Sequence, residues 1–491
     1  MSLAQKAGKA ATLLIFRKGW STLVNLGVMA ILARQLNKED FGIVAISSVL
    51  LSLVTSVGIG GLGDYIIFYK DQHEGEIKQA VFWLNLLVTF LIVIPVFGLS
   101  HWWASFYGSP GIEQILYLIT TTFIFEMLSA VPRSILRKQL DYRAIVTITT
   151  IFGTAISIGK VAFALTGWGV FSIILPSLII TPIQTVVFYY QAKFIPTLNL
   201  CLHRWQEVVK YVKYIAGGQL ITKLVNEGDT LIVGKILGME KLGVYNLAFG
   251  IGNIFKNQVL PIITEVTLPT FSKIAHDQER LRNAFIKLIS VIALISFPTL
   301  FILQALAEPF VLFLYGPKWS EAIIPLQILI IFTVSRSISS PSSGLYFAVG
   351  KPNYGFYFAL IFAPIFFIFI YVGSYWGLLG ICFAVSITRL LGGQVNMILC
   401  CNLIKLDVKV LYQAMKPFLL ASMIAALVIY FTPKYFSNLF VLVVYSILGI
   451  IIYILILRLF FKSDLVRILN SYEAVHHHFK YFKKILLLNN Q

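Results

Sequence analysis

Charge is scarce in this chain, and acid is scarcest. Asp and Glu number 21 in 491 residues against 39 Lys and Arg, and all four together make up 12% while hydrophobic residues make up 58%. That is too little polar side chain to cover an ordinary soluble domain, which excludes that class. Cysteine is limited to Cys201, Cys382, Cys400 and Cys401, with no metal-ligand spacing and three of them in one apolar span. These residues read as small hydrophobes. The His476–His478 run sits in a basic tail and reads as solvated, with weak metal binding the alternative. No DxD, nucleotide-binding Gly-rich loop or large hydrophilic loop is present; the longest outward segment, about 305–320, holds only Glu308 and Lys318. This weighs against a polysaccharide polymerase, ligase or glycosyltransferase. The sequence names no cofactor and no metal, and leaves coupling to H+ or Na+ open.

What is present is long apolar runs. Fourteen of them are about the length needed to cross roughly 30 Å of hydrocarbon: 11–33, 41–69, 79–103, 113–135, 143–166, 169–190, 213–236, 242–268, 283–304, 321–348, 354–375, 376–403, 413–431 and 436–461. Continuous runs favour helices over the alternation of a barrel. Lys6, Lys9, Arg17 and Lys18 interrupt the stretch where a signal peptide would have its apolar core, so the first helix is read as retained. Net charge is +18, but the basic residues fall in short segments between apolar spans, with no nucleic-acid motif. With the N-terminus inside, inner segments hold about 26 Lys and Arg and outer segments six, which predicts both termini cytoplasmic beside anionic lipid.

One phrase occurs twice. Residues 23–45 read LVNLGVMAILARQLNKEDFGIVA and residues 224–246 read LVNEGDTLIVGKILGMEKLGVYN, with eight of 23 positions identical, among them Asn25/Asn226, Gly27/Gly228, Glu39/Glu240 and Gly42/Gly243. FYG at 106–108 recurs as LYG at 314–316, Pro132 pairs with Pro341, and LDY at 140–142 faces PNY at 352–354. This pattern implies two six-helix repeats with the same orientation, related by an axis along the membrane normal. The expected division is an N-lobe (1–190), a cytoplasmic linker (191–212), a C-lobe (213–403), an additional helix pair (404–461) and a basic cytoplasmic tail (462–491).

Charge at membrane depth carries the functional signal. Arg17, Lys18, Lys160, Lys223, Lys256, Arg336 and Arg389 lie within the spans, as do Asp64, Glu126, Glu227, Asp229 and Glu265. Each charge at the bilayer centre costs at least about 2.5–3.5 kcal/mol, so the set implies a hydrated cavity, internal pairing, or both. Gln219, Lys223, Asn226 and Glu227 form a polar seam at helical spacing; Thr333, Arg336, Ser337 and Ser340 form another; Ser386, Arg389, Gly393 and Asn396 form a third. Such seams meet water or another helix. Arg17 and Lys18 can snorkel to the inner surface, and Lys223 and Glu227 can neutralise each other as an i,i+4 pair. Arg336 and Arg389, near mid-span with no acid in their own stripes, are the leading candidates for contact with an anion. Asn25, Asp64, Asn226, Glu227, Asp229, Gln219 and Asn396 are the polar or ion-coupling candidates.

LARQLNKEDFG (32–42), VGKILGMEKLGVYNLA (233–248), LPTFSKI (268–274) and LYGPKW (314–319) resemble the Wzx-type polysaccharide exporters, nearest the WzxC-like, colanic-acid-type subgroup of the multidrug/oligosaccharidyl-lipid/polysaccharide (MOP) superfamily. The resemblance spans essentially the whole chain and implies a V-shaped, MATE-like all-α fold. It also implies a flippase that moves an undecaprenyl-pyrophosphate-linked oligosaccharide across the cytoplasmic membrane by alternating access. The seven cations would then grip the pyrophosphate, and helices 13 and 14 would help form a groove for the lipid tail. A polysaccharide polymerase and glycosyltransferases would be its functional partners. Lipid II export or drug/cation antiport are the alternatives within the superfamily; the excess of bases over acids at depth leans against the antiporter.

Overall fold

A computed structural model of the chain describes residues 3–58, 62–69, 73–258, 260–261, 267–432 and 438–463, and their side chains apart from those of 3–16, 56–58, 211–222 and 268–269. Every regular element among the described residues is helical. Two compact units divide the chain, Met1–Leu247 and Ala248–Gln491.

The first unit holds α1 (Leu3–Gln35), α2 (Lys38–Gly58), α3 (Leu62–Phe68), α4 (Glu74–Tyr107), α5 (Gly111–Leu128), α6 (Ala130–Lys138), α7 (Tyr142–Leu165), α8 (Leu175–Ala192) and most of α9 (Leu202–Gly252). α9 is two arms joined at Gly238, whose φ of 82° and ψ of 174° are not helical. The second unit holds α10 (Ile254–Gln258), α11 (Thr267–Ile274), α12 (Gln278–Ala305), α13 (Ala307–Leu314), α14 (Ile323–Ser339), α15 (Ser342–Ala348), α16 (Asn353–Ser374), α17 (Gly377–Leu403), α18 (Val408–Phe431) and α19 (Leu439–Phe460). Among the described residues ten helical segments are long and apolar enough to cross a membrane, and they coincide with ten of the expected spans. The other four expected spans fall on α1, on α2 with α3, and on the two arms of α9, the second of them together with α10. The chain is an all-α, multi-pass membrane protein.

The scarce acids are spent largely on ends and connections. Asp141, Asp277 and Asp407 are N-caps of α7, α12 and α18, accepting from the backbone N–H groups of Ala144, Arg280 and Lys409 at 2.9–3.0 Å. The repeated prolines also have a structural meaning. The fourth span of each repeat breaks just before its proline: α5 ends and α6 begins ahead of Pro132, and α14 ends ahead of Pro341. A proline lacks the N–H and crowds the preceding turn, so continuous helix is costly there.

Packing divides the chain at a different place from the duplication. The second copy of the repeated phrase belongs to the first unit, and a reciprocal contact joins it to the first copy. A Cβ on Gly42 would stand 2.0 Å from the Met239 carbonyl oxygen, and one on Gly243 would stand 1.8 Å from the Lys38 carbonyl oxygen. Lys38 and Met239 are themselves equivalent positions of the repeat. The contact is therefore self-complementary, as at a two-fold axis. Only a residue without a side chain permits this backbone approach. Lys38 Nζ lies 3.5 Å from Glu240 Oε1 beside it.

The segment after α8 is strapped to the first unit. Gln79 donates to the Ile195 carbonyl (3.0 Å) and accepts from the Thr197 N–H (2.9 Å). Trp83 Nε1 donates to the Thr197 carbonyl at 2.8 Å, and Glu76 accepts from Arg204 Nε at 3.1 Å. That carboxylate holds the Arg204 guanidinium above its ordinary pKa. In the second unit α18 and α19 pack on α12: Phe418, Ala421, Ala425 and Tyr453 share a buried core with Phe285, Ile289, Ile292 and Phe297. Tyr453 donates to the Leu294 carbonyl at 3.0 Å. Small residues let these helices approach closely, which matters in lipid because water no longer drives apolar surfaces together.

Candidate functional site

The two arginines singled out from the sequence come together in the second unit. Arg336 is on α14 and Arg389 on α17, two helices held in close contact. Ser386 Oγ donates to the Ile328 carbonyl across the interface at 3.0 Å, and a Cβ on Gly393 would meet Ser335 Oγ at 2.5 Å. Both guanidinium carbons lie 5.6 Å from the centroid of the Phe332 ring, and Arg389 lies 4.2 Å from that of Phe366. Phe249 stacks on Phe332 with centroids 5.9 Å apart. Both arginines are half-buried. Each ring contact is worth about 0.5–2 kcal/mol, offsetting part of the cost of placing charge within a span. Lys256 is carried by α10, which packs against α12 and α14 and so neighbours the Arg336 helix.

The polar seam of α14 proves to face another helix. Thr333 and Ser337 are buried, and their hydroxyls donate to the Leu329 and Thr333 carbonyls of their own helix at 3.2 and 2.8 Å. On α17 Asn396 is tied to α15, accepting from the Tyr346 hydroxyl at Oδ1 (2.7 Å). It sits seven residues from Arg389, about 10 Å along the axis.

The remaining candidates lie in the first unit. Arg17 donates to Thr149 Oγ1 at 3.1 Å, joining α1 to α7. Lys18 is half-buried next to it, and Lys160 is half-buried on α7 eleven residues beyond Thr149, about 16 Å along that helix. Asn25 is exposed and donates to Ser21 Oγ at 3.2 Å; Asp64 is exposed at the start of α3. On the first arm of α9, Lys223, Asn226 and Glu227 are half-buried, whereas Asp229 is fully buried. The Asp229 carboxylate accepts from the Tyr245 hydroxyl at 2.6 Å and from the Thr230 N–H at 3.0 Å. The bond to Tyr245 connects the two arms of the second repeat phrase. The equivalent positions of the first phrase are Val28 and Val44, so only the second copy is built this way. The side chain of Gln219, Glu265 and the tail from residue 464 lie outside the described residues.

Sequence reasoning missed the rings. Phe332 lies one helical turn from Arg336, an i,i+4 aromatic–cation spacing that was legible. Phe366 is on another helix, and nothing in the local sequence points from it to Arg389.

A family model described as "Polysaccharide biosynthesis protein" matches residues 31–324, more than half of the chain. The chain belongs to the polysaccharide biosynthesis protein family. Its match takes in the second copy of the repeated phrase and the first copy from residue 31 on, and ends at the start of α14, short of Arg336. Similar proteins include the lipopolysaccharide biosynthesis protein WzxC of Escherichia coli K12, 28% identical over 343 residues and covering 68% of this chain and 69% of that protein. The teichuronic acid biosynthesis protein TuaB of Bacillus subtilis is 24% identical, covering 74% and 76%. The succinoglycan biosynthesis transport protein ExoT of Rhizobium meliloti is 25% identical, covering 66% of each. Among solved structures, the lipid II flippase MurJ in an inward closed conformation superposes with a TM-score of 0.71 at 16% identity, covering 94% of this chain and 99% of that one. An inward-facing MATE transporter of the MOP superfamily gives 0.59 at 15% identity, covering 78% and 94%. This polysaccharide biosynthesis family member thus has the fold shared by those transporters, as the sequence resemblance implied.

Proposed function

We propose that the chain is a flippase that carries a lipid-linked oligosaccharide across the cytoplasmic membrane for cell-surface polysaccharide synthesis. The observation that carries this reading is the arginine pair on Phe332, two cations from different spans held in one neighbourhood inside a membrane unit. Guanidinium forks match phosphate oxygens, and a lipid diphosphate is the anionic part of such a substrate. The ring contact uses the face of a guanidinium, while a phosphate is gripped by its in-plane N–H groups, so one group can make both. Lys256 reinforces this cluster; Arg17, Lys18, Lys160 and Lys223 provide cations in the first unit. The role is transport, with the oligosaccharide made and consumed by glycosyltransferases and a polysaccharide polymerase. With both termini cytoplasmic, outward passage of about two negative charges through an inside-negative potential is favourable by roughly 4–5 kcal/mol per 100 mV.

The test is reconstitution of the purified chain in vesicles with a defined polyprenyl-diphosphate oligosaccharide, measuring its appearance in the opposite leaflet with and without an imposed potential. Transfer accelerated by the protein and by the favourable potential is expected. Transfer no faster than in protein-free vesicles would rule the reading out.

A further inference from the structure

Beside the cation cluster of the second unit, α16 and α17 touch at one end through glycines: a Cβ on Gly380 would stand 2.2 Å from the Gly373 carbonyl oxygen, and one on Gly373 2.7 Å from that of Gly380. Away from this contact lies a groove of about 670 Å³ lined by Phe358, Ile361, Phe362, Leu391, Gly392 and Val395 among others. Ile361, Leu391 and Val395 are half or more exposed, so the groove opens on the apolar outer surface. Its size is that of a ligand pocket rather than a packing flaw.

Two observations join the groove to the arginines. Along α16, Phe358, Phe362 and Phe366 form a ladder of stacked rings at i,i+4 spacing, with centroids 5.4 and 6.0 Å apart. Its first two rings line the groove, and its third is fully buried 4.2 Å beneath the Arg389 guanidinium. On α17, Thr388, Leu391 and Gly392 line the groove while Arg389 lies between them in sequence. Gly392 fits because Phe362 occupies the place of its side chain; a Cβ there would be 2.3 Å from the ring. One helix therefore presents a guanidinium on one side and a ring-lined apolar groove on the adjoining side.

We propose that the groove between α16 and α17 holds the isoprenoid chain of the lipid-linked substrate while Arg389 and Arg336 hold its diphosphate. The inference rests on the flippase reading and adds the path of the tail. A polyprenyl chain is branched, unsaturated and apolar, and suits a groove walled by aromatic rings and aliphatic side chains. Joined to a diphosphate held at Arg389, it must leave toward lipid nearby, and the ladder leads to such an exit. This places the tail on α16 and α17 in place of the α18–α19 pair that the family resemblance suggests.

The test is photocrosslinking of the full chain in phospholipid vesicles, with a benzophenone side chain at Leu391 or Ile361, and at Ile450 of α19 as an equally lipid-facing comparison. The probe is a radiolabelled long-chain polyprenyl diphosphate. Labelling at Leu391 and Ile361 about fivefold above Ile450 is expected, a preference worth roughly 1 kcal/mol. It should be competed by unlabelled polyprenyl diphosphate and not by added phospholipid, and it should fall in Arg389→Ala. Equal labelling at all three positions, or competition by phospholipid, would mean the groove holds only bulk lipid. Stronger labelling at Ile450 in a protein that still transports would overturn the groove and spare the flippase reading. Failure of the unmodified chain to transport, together with no labelling at any of the three probe positions, would overturn both.

Discussion

Replacing Gly42 or Gly243 by alanine sets two opposite effects against each other, and the structure decides the sign. Both glycines lie within helices, where alanine is intrinsically better by up to about 1 kcal/mol. Against this, the new methyl would meet a backbone carbonyl oxygen at 2.0 Å from Gly42 or 1.8 Å from Gly243, where ordinary contact begins at 3.4 Å. The two copies of the phrase must then part by roughly 1.5 Å, because a carbonyl in a helix cannot rotate away as a side-chain tip can. Overpacking of this kind costs about 1–3 kcal/mol or more. A net loss near 2 kcal/mol in a cooperative unit of this size lowers the melting temperature by roughly 4–8 °C.

The assay is thermal unfolding of the detergent-purified protein, monitored by exposure of its buried cysteines. Gly27→Ala is the comparison: Gly27 is also helical and repeated in sequence, but nothing lies within 4 Å of its Cβ position. It should be neutral or stabilising. The double variant Gly42→Ala/Gly243→Ala should cost less than the sum of the singles, because the first substitution already opens the contact that the second would strain. If Gly42→Ala and Gly243→Ala both behave like Gly27→Ala, the copies do not meet as described and the explanation for these glycines is wrong.

Particular contacts lead to three further expected outcomes. Arg336→Ala and Arg389→Ala should each reduce vesicle transport about 10- to 100-fold with normal membrane insertion, as expected for loss of about 1.5–3 kcal/mol from a charge-assisted bond, and Arg389→Lys should restore little because an ammonium lacks the fork; wild-type transport by both alanine variants would remove them from the path. Tyr245→Phe should cost about 1–3 kcal/mol by withdrawing a donor from the buried Asp229 carboxylate, read as a lower melting temperature, and an unchanged value would show the bond to be dispensable. Gln79→Ala should loosen the strap and speed cleavage by trypsin at Lys193, whereas an unchanged cleavage rate would show that the Trp83 and Glu76 bonds suffice.

Much of the architecture was legible because lipid imposes few choices. Ten runs read from apolar length alone match ten spanning helices, since an apolar stretch of that length can satisfy its backbone only as helix. The duplicated phrase was legible too, but not the reason for its glycines. Gly42 and Gly243 stand 201 residues apart, and only the fold shows each against a carbonyl at the position equivalent to the other's. The same limit applies to the cations. Spacing put Arg336 and Arg389 on polar seams, but identical seams serve water and helix contact, and the Thr333 and Ser337 hydroxyls turned out to be satisfied within α14. Asn396 looked like a companion of Arg389 on the same stripe, yet its partner is Tyr346, because seven residues along a helix is far enough to reach a different neighbour.

On the proposed reading, the way the arginines are held bears on turnover as well as binding. A transporter that bound a lipid diphosphate too firmly would not release it, since only differential affinity between its states drives a cycle. Arg389 rests on Phe332 and Phe366, and Arg336 on Phe332, so aromatic surface stabilises both guanidinium groups whether or not an anion is present. A contact worth about 0.5–2 kcal/mol per ring lowers the energy of the empty site and leaves the gain on binding phosphate moderate. Because Phe332 and Arg336 are on α14, a rotation of α14 against α17 would keep their contact and change the one that Arg389 makes with the same ring. The rings are therefore the place where a small helix displacement could turn into a large change in grip. Phe332→Leu tests this: it keeps an apolar side chain but removes the π face, and should slow transport more than it weakens diphosphate binding measured by titration. Equal losses in the two would show that Phe332 does no more than fill space.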